Sequence, residues 1–163
     1  MHIEVVCKLE ALRRVRSGRK IYDGIVSISN PPSSLREQAQ RVRDVKQLQR
    51  ATNQFLGLEF YDTEDRNRDG APQQSHLEQV RAFFRGFDPS APTTILVHCE
   101  AGVSRSPAMA AVGLTVSGYS HADAILFVKQ ICHQTIRPNR LICQLNLEAA
   151  EARENENEND NKS

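Results

Sequence analysis

Residues 95–106 read Ile-Leu-Val-His-Cys-Glu-Ala-Gly-Val-Ser-Arg-Ser. The run Thr94 to His98 has the length and apolar content of a central buried strand, and it delivers Cys99 at its end. Five residues follow, then Arg105, then an apolar stretch with Pro107 in the first turn, where a missing amide costs a helix nothing. The pattern is strand, short loop, helix. The chain has 5 His and 4 Cys among 163 residues. Chance supplies a His-Cys-five-residues-Arg spacing on the order of 0.01 times in a chain of this composition.

The spacing suits an oxyanion. Five residues, Glu100, Ala101, Gly102, Val103 and Ser104, are enough for a backbone to wrap a phosphate group with its amide hydrogens inward. The start of the following helix adds to the positive field. Gly102 permits a positive φ or a close approach of backbone. Arg105 offers a planar fork for two oxygens at once. The same field favours a thiolate at Cys99, a nucleophile at neutral pH. Ser106 can donate to that sulfur. His98 is expected to orient the loop through backbone contacts rather than to act as a base. The bland alternative is a buried structural cysteine beside a surface arginine.

His98 to Ser106 resembles the signature of the cysteine-based protein tyrosine phosphatases, and the Ser-Arg-Ser ending is similar to the dual-specificity branch. Ile136-Arg137-Pro138-Asn139, with Leu141, Gln144 and Leu145, is similar to the Pro-Asn and Gln-Leu pattern that opens the last helix there. The layout also resembles small bacterial members, in which a strand and an Asp loop precede the helix before the signature. The resemblance implies an α/β fold: one phosphatase domain with a central, mostly parallel sheet flanked by helices. It implies hydrolysis of phosphate monoesters, phosphotyrosine foremost and phosphoserine or phosphothreonine beside it, through a cysteinyl phosphate, with no metal and no other cofactor. Asn139 would support the active-site wall, although a helix N-cap explains it equally well. The partner would be a phosphorylated protein or another phosphate monoester. Three rivals stand beside this reading: a phosphoinositide or RNA 5′-phosphate phosphatase of the same superfamily, a non-catalytic phosphate-binding module, and a rhodanese-like sulfurtransferase. Polyanionic substrates favour Lys within the loop, and Glu100 and Val103 supply none.

A leaving oxygen needs a proton as the P–O bond breaks, and a carboxylic acid is the usual source. Asp62, Asp65 and Asp69 lie upstream. Asp62 is favoured, because it follows an expected strand, Phe55 to Tyr61, and its place resembles the end-of-strand Asp of the small bacterial family. It lies 37 residues before Cys99. Asp69 opens Asp-Gly-Ala-Pro, 30 residues before Cys99, and is the alternative acid. The stretch Asp65-Arg66-Asn67-Arg68-Asp69-Gly70 also matches the first half of a calcium loop. Its twelfth position is His76 rather than Glu, and two Arg repel a cation, so a surface turn is expected.

Elsewhere the chain reads as strands at Ile3–Leu9 and Tyr22–Ile28 and helices at Leu35–Gln49, His76–Phe84, Ser106–Val116, Ala122–Ile131 and Leu141–Arg153. Ser75 and Glu78 suggest a capping box for the second helix. Residues 1–153 are expected to form the catalytic domain. Residues 154–163, rich in Asn and Glu, are expected to form a disordered tail. Net charge is +1 and hydrophobic content 39%, which gives no case for nucleic acid or membrane as partner. The N-terminus lacks signal-peptide architecture. Cys7, Cys132 and Cys143 show no metal spacing and read as small apolar residues. A reducing cytoplasm and a monomer are expected. The basic cluster Arg13, Arg14, Arg16, Arg19 and Lys20 reads as a solvated face or a substrate rim.

Overall fold

The two central strands of the sheet are buried on both faces, and helices cover both. The computed structural model describes residues 1–18, 21–88 and 90–160, the side chains of Glu154 and of 156–160 excepted. The elements are β1 (His2–Cys7), α1 (Lys8–Arg16), β2 (Tyr22–Ser29), α2 (Leu35–Gln49), β3 (Thr52–Glu59), α3 (Gln74–Arg85), β4 (Thr94–Cys99), α4 (Arg105–Thr115), α5 (His121–Ile131) and α6 (Arg140–Asp160). The strands run in the order β1-β4-β2-β3, and every pair is parallel.

Alternation along β2 and β4 sorts the core. Val26, Ile28, Ile95 and Val97 face one way and pack with Leu77, Val80 and Phe84 of α3 and with the buried residues of α4. Ile25 and Leu96 face the other way, onto Ala11, Leu12 and Val15 of α1 and Leu48 of α2, and Tyr22 at the start of β2 joins the same cluster. The helix after β1 therefore lies on one face of the sheet, and the helix after β4 on the other. The chain leaves the carboxyl ends of these neighbouring strands in opposite directions. This opens the crevice in which parallel sheets place ligands, and Cys99 ends β4 at that crevice.

The structure moves several expected boundaries. The first strand stops at Cys7, and Lys8–Arg16 is a helix. Its buried residues Ala11, Leu12 and Val15 follow helical spacing. On its outer side Arg13 and Arg14 pair with Glu10, and Arg14 also with Glu4, so these bases belong to a salt-bridged face rather than a substrate rim. Arg19 and Lys20 lie outside the described residues. β3 begins three residues earlier than expected and ends at Glu59. The Tyr61 amide then donates to Gly70 O rather than to a strand (2.8 Å). The cap of α3 is made by the Gln73 amide and His76 Nδ1 (3.0 Å), while Glu78 pairs with Arg81 instead of closing a box with Ser75. The backbone of α6 stays helical to Asp160, past Arg153. Once a helix is nucleated on a packed face, each added residue fixes few dihedrals and gains a bond, so a Glu-rich extension propagates.

α4 is buried along Arg105–Leu114. Its approach to α3 depends on Gly113, where an added Cβ would lie 2.5 Å from the fully buried ring of Phe84. Gly113→Val should cost about 1–3 kcal/mol through overpacking, with no helix-propensity gain large enough to offset it. Urea unfolding would show a lower midpoint with an unchanged slope.

Candidate active site

The loop from Glu100 to Ser104 is held from outside by its carbonyls. Glu100 O accepts from the Lys8 amide (3.2 Å), Gly102 O from Gln134 Nε2 (3.0 Å), Val103 O from the Arg137 amide (2.9 Å) and Ser104 O from the Asn139 amide (3.2 Å). Gln134 Nε2 also lies 3.4 Å from Ala101 O. The Gly102 amide points inward and donates to Cys99 Sγ (3.2 Å), and Ser106 Oγ donates to the same sulfur (3.1 Å). Among the described residues the amides of Ala101, Val103 and Ser104 carry no hydrogen bond. Gly102 has φ +74°, and a Cβ there would sit 2.6 Å from Cys7 N. The loop therefore rests on the end of β1, and only glycine fits.

Arg105 is 3% exposed. Its Nη1 donates to Asn30 Oδ1 (2.8 Å) and to the Phe60 carbonyl (2.7 Å). Its buried Nε has no hydrogen-bond partner and lies 3.9 Å from Asp62 Oδ2. One nitrogen thus anchors the guanidinium, and the Nε edge is left to grip two oxygens.

Asp62 stands at the mouth, 41% exposed on its side chain. Its Oδ1 accepts from Ser104 Oγ (2.7 Å) and from Asn139 Nδ2 (2.8 Å), leaving Oδ2 without a hydrogen bond among the described residues. Asn139 caps the following helix and also binds the Asp62 segment. Its Oδ1 accepts from the Ile142 amide (3.1 Å) as the cap of α6, and its Nδ2 also reaches Thr63 O (3.1 Å). Among the described residues neither Asp65 nor Asp69 has a hydrogen bond or ion pair to the loop. Asp65 folds back on its own turn through the Asn67 amide (3.0 Å), and Asp69 is exposed nearby. Arg68 in that turn covers the Tyr61 ring at 5.0 Å. Among the described residues no three His, Cys, Asp or Glu side chains cluster to hold a metal ion.

Sequence reasoning missed Lys8, Asn30, Phe60 and Gln134, which act here through backbone or amide groups. No residue type marks such a role. A cleft of about 350 Å³ lies beside the loop, lined by Lys8, Asn30, Pro31, Gln40, Arg41 and Glu100. Lys8 is neutralised from beneath by buried Asp44 (3.1 Å), while Glu100 is 59% exposed with Lys8 Nζ 4.0 Å away.

Residues 36–150 match the family model of the dual specificity phosphatase catalytic domain. The chain belongs to this family. A stretch of 67 residues is 37% identical to protein tyrosine phosphatase type IVA 3 of Mus musculus, covering 38% of this chain. The match spans little more than a third of that curated relative, 37% of its length. The fold of this dual-specificity phosphatase domain is shared with human DUSP28 (TM-score 0.66, 18% identity, 93% of this chain and 90% of that one). It is shared as well with PTPMT1 (TM-score 0.59, 23% identity, 94% and 95%), of which a structure in complex with PI(5)P is also similar (TM-score 0.56, 23% identity, 93% and 94%).

His98, 2% exposed beside the loop, carries a pH signature. Burial pushes its imidazole pKa from 6.5 down to about 4, against a smaller opposing pull from the Cys99 backbone. Below pH 6.5 the unfolded chain binds a proton that the native state refuses. Stability from this group is complete above 6.5 and is lost as pH falls towards 4. Between pH 6.5 and 5 the loss should be about 2 kcal/mol. Urea midpoints measured across this range should slope less in His98→Gln; an equal slope would assign the loss to another group.

Proposed function

We propose that this domain hydrolyses phosphate monoesters of proteins, phosphotyrosine foremost and phosphoserine or phosphothreonine beside it, through a cysteinyl phosphate on Cys99. The observation that carries the reading is the inward Gly102 amide on Cys99 Sγ, together with a buried Arg105 at the end of the same loop whose Nε has no hydrogen-bond partner. A buried guanidinium edge without a partner is costly unless an oxyanion occupies it.

In the proposed reaction the Cys99 thiolate attacks phosphorus in line with the leaving oxygen. The loop amides and Arg105 hold the three equatorial oxygens as charge spreads over them. Asp62 gives its proton to the leaving oxygen. It then takes a proton from the water that attacks the cysteinyl phosphate, and the sulfur leaves as a thiolate stabilised by Ser106 Oγ and the Gly102 amide. Asp62 Oδ2, free of other bonds, is the oxygen suited to this exchange. Ser104 and Asn139 orient the carboxyl.

A protein substrate is favoured over a polyphosphorylated lipid or RNA end by charge. The loop between Cys99 and Arg105 holds no Lys or Arg, and its one charged side chain is the exposed acid Glu100. The adjoining cleft is lined by polar and oppositely charged groups that suit a peptide flank. The four cysteines are free, which agrees with action in a reducing cytoplasm. We take the acting form to be a monomer, with neither nucleic acid nor membrane as partner.

Cys99→Ser should keep the fold and bind vanadate while losing at least about a thousandfold in turnover of an aryl phosphate. Arg105→Lys should lose orders of magnitude in kcat/KM with little change in stability. Turnover near that of the wild type in either variant, or efficient sulfur transfer from thiosulfate by the wild type, would overturn the reading.

Asp62→Asn should lose roughly a hundredfold or more on a phosphotyrosine peptide, but within about tenfold on an aryl ester with a good leaving group. The alkaline fall of its kcat/KM profile should flatten. Asp69→Asn should leave both features intact; leaving-group dependence in Asp69→Asn alone would move the acid to that residue.

A further inference from the structure

A cavity of about 490 Å³ lies among α3, α5 and α6, lined by Arg81, Tyr119, His121, Asn146, Leu147 and Arg153. Thr115, the last residue of α4, also reaches it, whereas Arg105 opens that helix beside Cys99. The rise along α4 puts its two ends roughly 15 Å apart, so one phosphate group cannot serve both places. Arg81 is 2% exposed. Its Nη1 donates to Glu78 Oε1 (2.6 Å) and its Nη2 to Asn146 Oδ1 (2.5 Å), while its buried Nε has no hydrogen-bond partner. Arg153 Nη2 donates to the same Glu78 oxygen (3.3 Å). One carboxylate thus serves two guanidiniums and leaves a positive charge over. Burial is the largest influence on Arg81 and pushes its pKa down; Glu78 opposes this, while Arg153 and Arg85 add to it. Among the described residues Glu151 is the one acid on the cavity wall, and it is exposed.

Arg81 also fixes the polarity of its neighbours. A guanidinium only donates, so the Asn146 atom that faces Nη2 is the oxygen. Asn146 Nδ2 therefore donates to His121 Nδ1 (2.8 Å). Burial holds the His121 pKa below its ordinary value, which keeps the ring neutral at pH 7. With Nδ1 accepting, the proton of the neutral ring sits on Nε2. The carboxylate of Glu78 and the amide oxygen of Asn146 are both taken up by arginines. What stays unused among the described residues is a set of donors: Arg81 Nε, His121 Nε2 and the Tyr119 hydroxyl.

We propose that this cavity is a second oxyanion site, which binds a phosphate group without hydrolysing it. A phosphate dianion matches two guanidiniums that share a single carboxylate. It also relieves the buried Nε, whose isolation is otherwise costly. The wall holds no cysteine to attack phosphorus. Tyr119 and Leu147 are exposed beside the donors and offer apolar surface to the stem of a phosphorylated side chain. Inorganic phosphate would use the polar end alone.

The test is residue-resolved NMR of the full chain during titration with phenylphosphonate, whose C–P bond resists hydrolysis, and separately with inorganic phosphate. The amides of residues 119–122 and 146–150 report the cavity, and those of residues 102–104 report the Cys99 loop in the same spectra. Saturable shifts are expected at the cavity. Tighter binding of phenylphosphonate would assign the site to phosphorylated side chains, and equal affinities would assign it to free phosphate. Before ligand is added, His121 should show a protonated Nε2 and a bare Nδ1; the opposite tautomer would overturn the donor set. Arg153→Ala should weaken binding at the cavity about tenfold, the worth of one charge-assisted bond, and Arg81→Lys at least as much. Turnover of an aryl phosphate and the titration of the loop should stay as in the wild type. If Arg81→Lys does not fold, Tyr119→Phe replaces it and Arg153→Ala decides. No saturable shift at the cavity into the tens of millimolar, or a shift that the variants leave unaltered, would overturn the inference whatever the loop does. Loss of the loop response alone would count against the phosphatase reading and leave this site standing.

Discussion

The site depends on the outward pinning of the loop carbonyls. A peptide unit is planar, with its C=O and the next N–H pointing opposite ways. Fixing the carbonyls of Glu100, Gly102, Val103 and Ser104 against external donors therefore aims the intervening amides inward. The donors are Lys8 after β1, Gln134 and Arg137 after α5, and Asn139 at the start of α6. Each such bond is worth only about 1 kcal/mol net. Their importance is geometric, because an oxyanion site formed in advance spends nothing on reorganisation when charge develops. Elements from both ends of the chain must fold before the loop takes its shape.

The same frame sets the charge balance. Arg105 is buried, yet among the described residues no carboxylate is hydrogen-bonded to it, and Asp62 stops 3.9 Å from its Nε. A closer pair would neutralise the guanidinium and compete with a phosphate for it. The anchoring falls instead to neutral oxygens, Asn30 Oδ1 and Phe60 O. These orient the group without cancelling its charge. The domain bears a desolvation cost at this point, which the anion of the proposed reaction would relieve.

What could be read from the chain follows from how local each signal is. The strand before Cys99, the five-residue spacing, Gly102 and Ser106 are contiguous and obey short-range rules, and the structure places them together. Asp62 is reached by β3 ending at Glu59, with Phe60 holding Arg105 between them. The expectation rested on a strand boundary that proved two residues late, and Asp62 lies three residues past the strand, within the loop. The helix Lys8–Arg16 was hidden by an apolar strand flowing into it without a cap of the usual kind. Ser75 and Glu78 imitated a capping box that Gln73 and His76 form two residues earlier. The roles of Lys8 and Gln134 as loop supports depend on long-range packing, which periodicity does not encode.

Ser104 shows how function overrides a local rule. It precedes α4, where a serine side chain ordinarily caps the helix. Here its hydroxyl donates to Asp62 (2.7 Å), and it makes no side-chain cap bond. Ser34 and Ser120 occupy the same position before α2 and α5 and do cap, accepting from the Glu37 and Asp123 amides. The first amides of α4 are thereby not spent on a side chain. They keep their share of the helix-end field for the space above Cys99. A capped α4 would gain about 1 kcal/mol of helix stability and would take from the cradle both a donor and the hydroxyl that holds Asp62. The uncapped helix, the unpaired guanidinium edge and the inward amides are three departures from local satisfaction, and all three belong to the loop between Cys99 and Arg105 and the helix it opens.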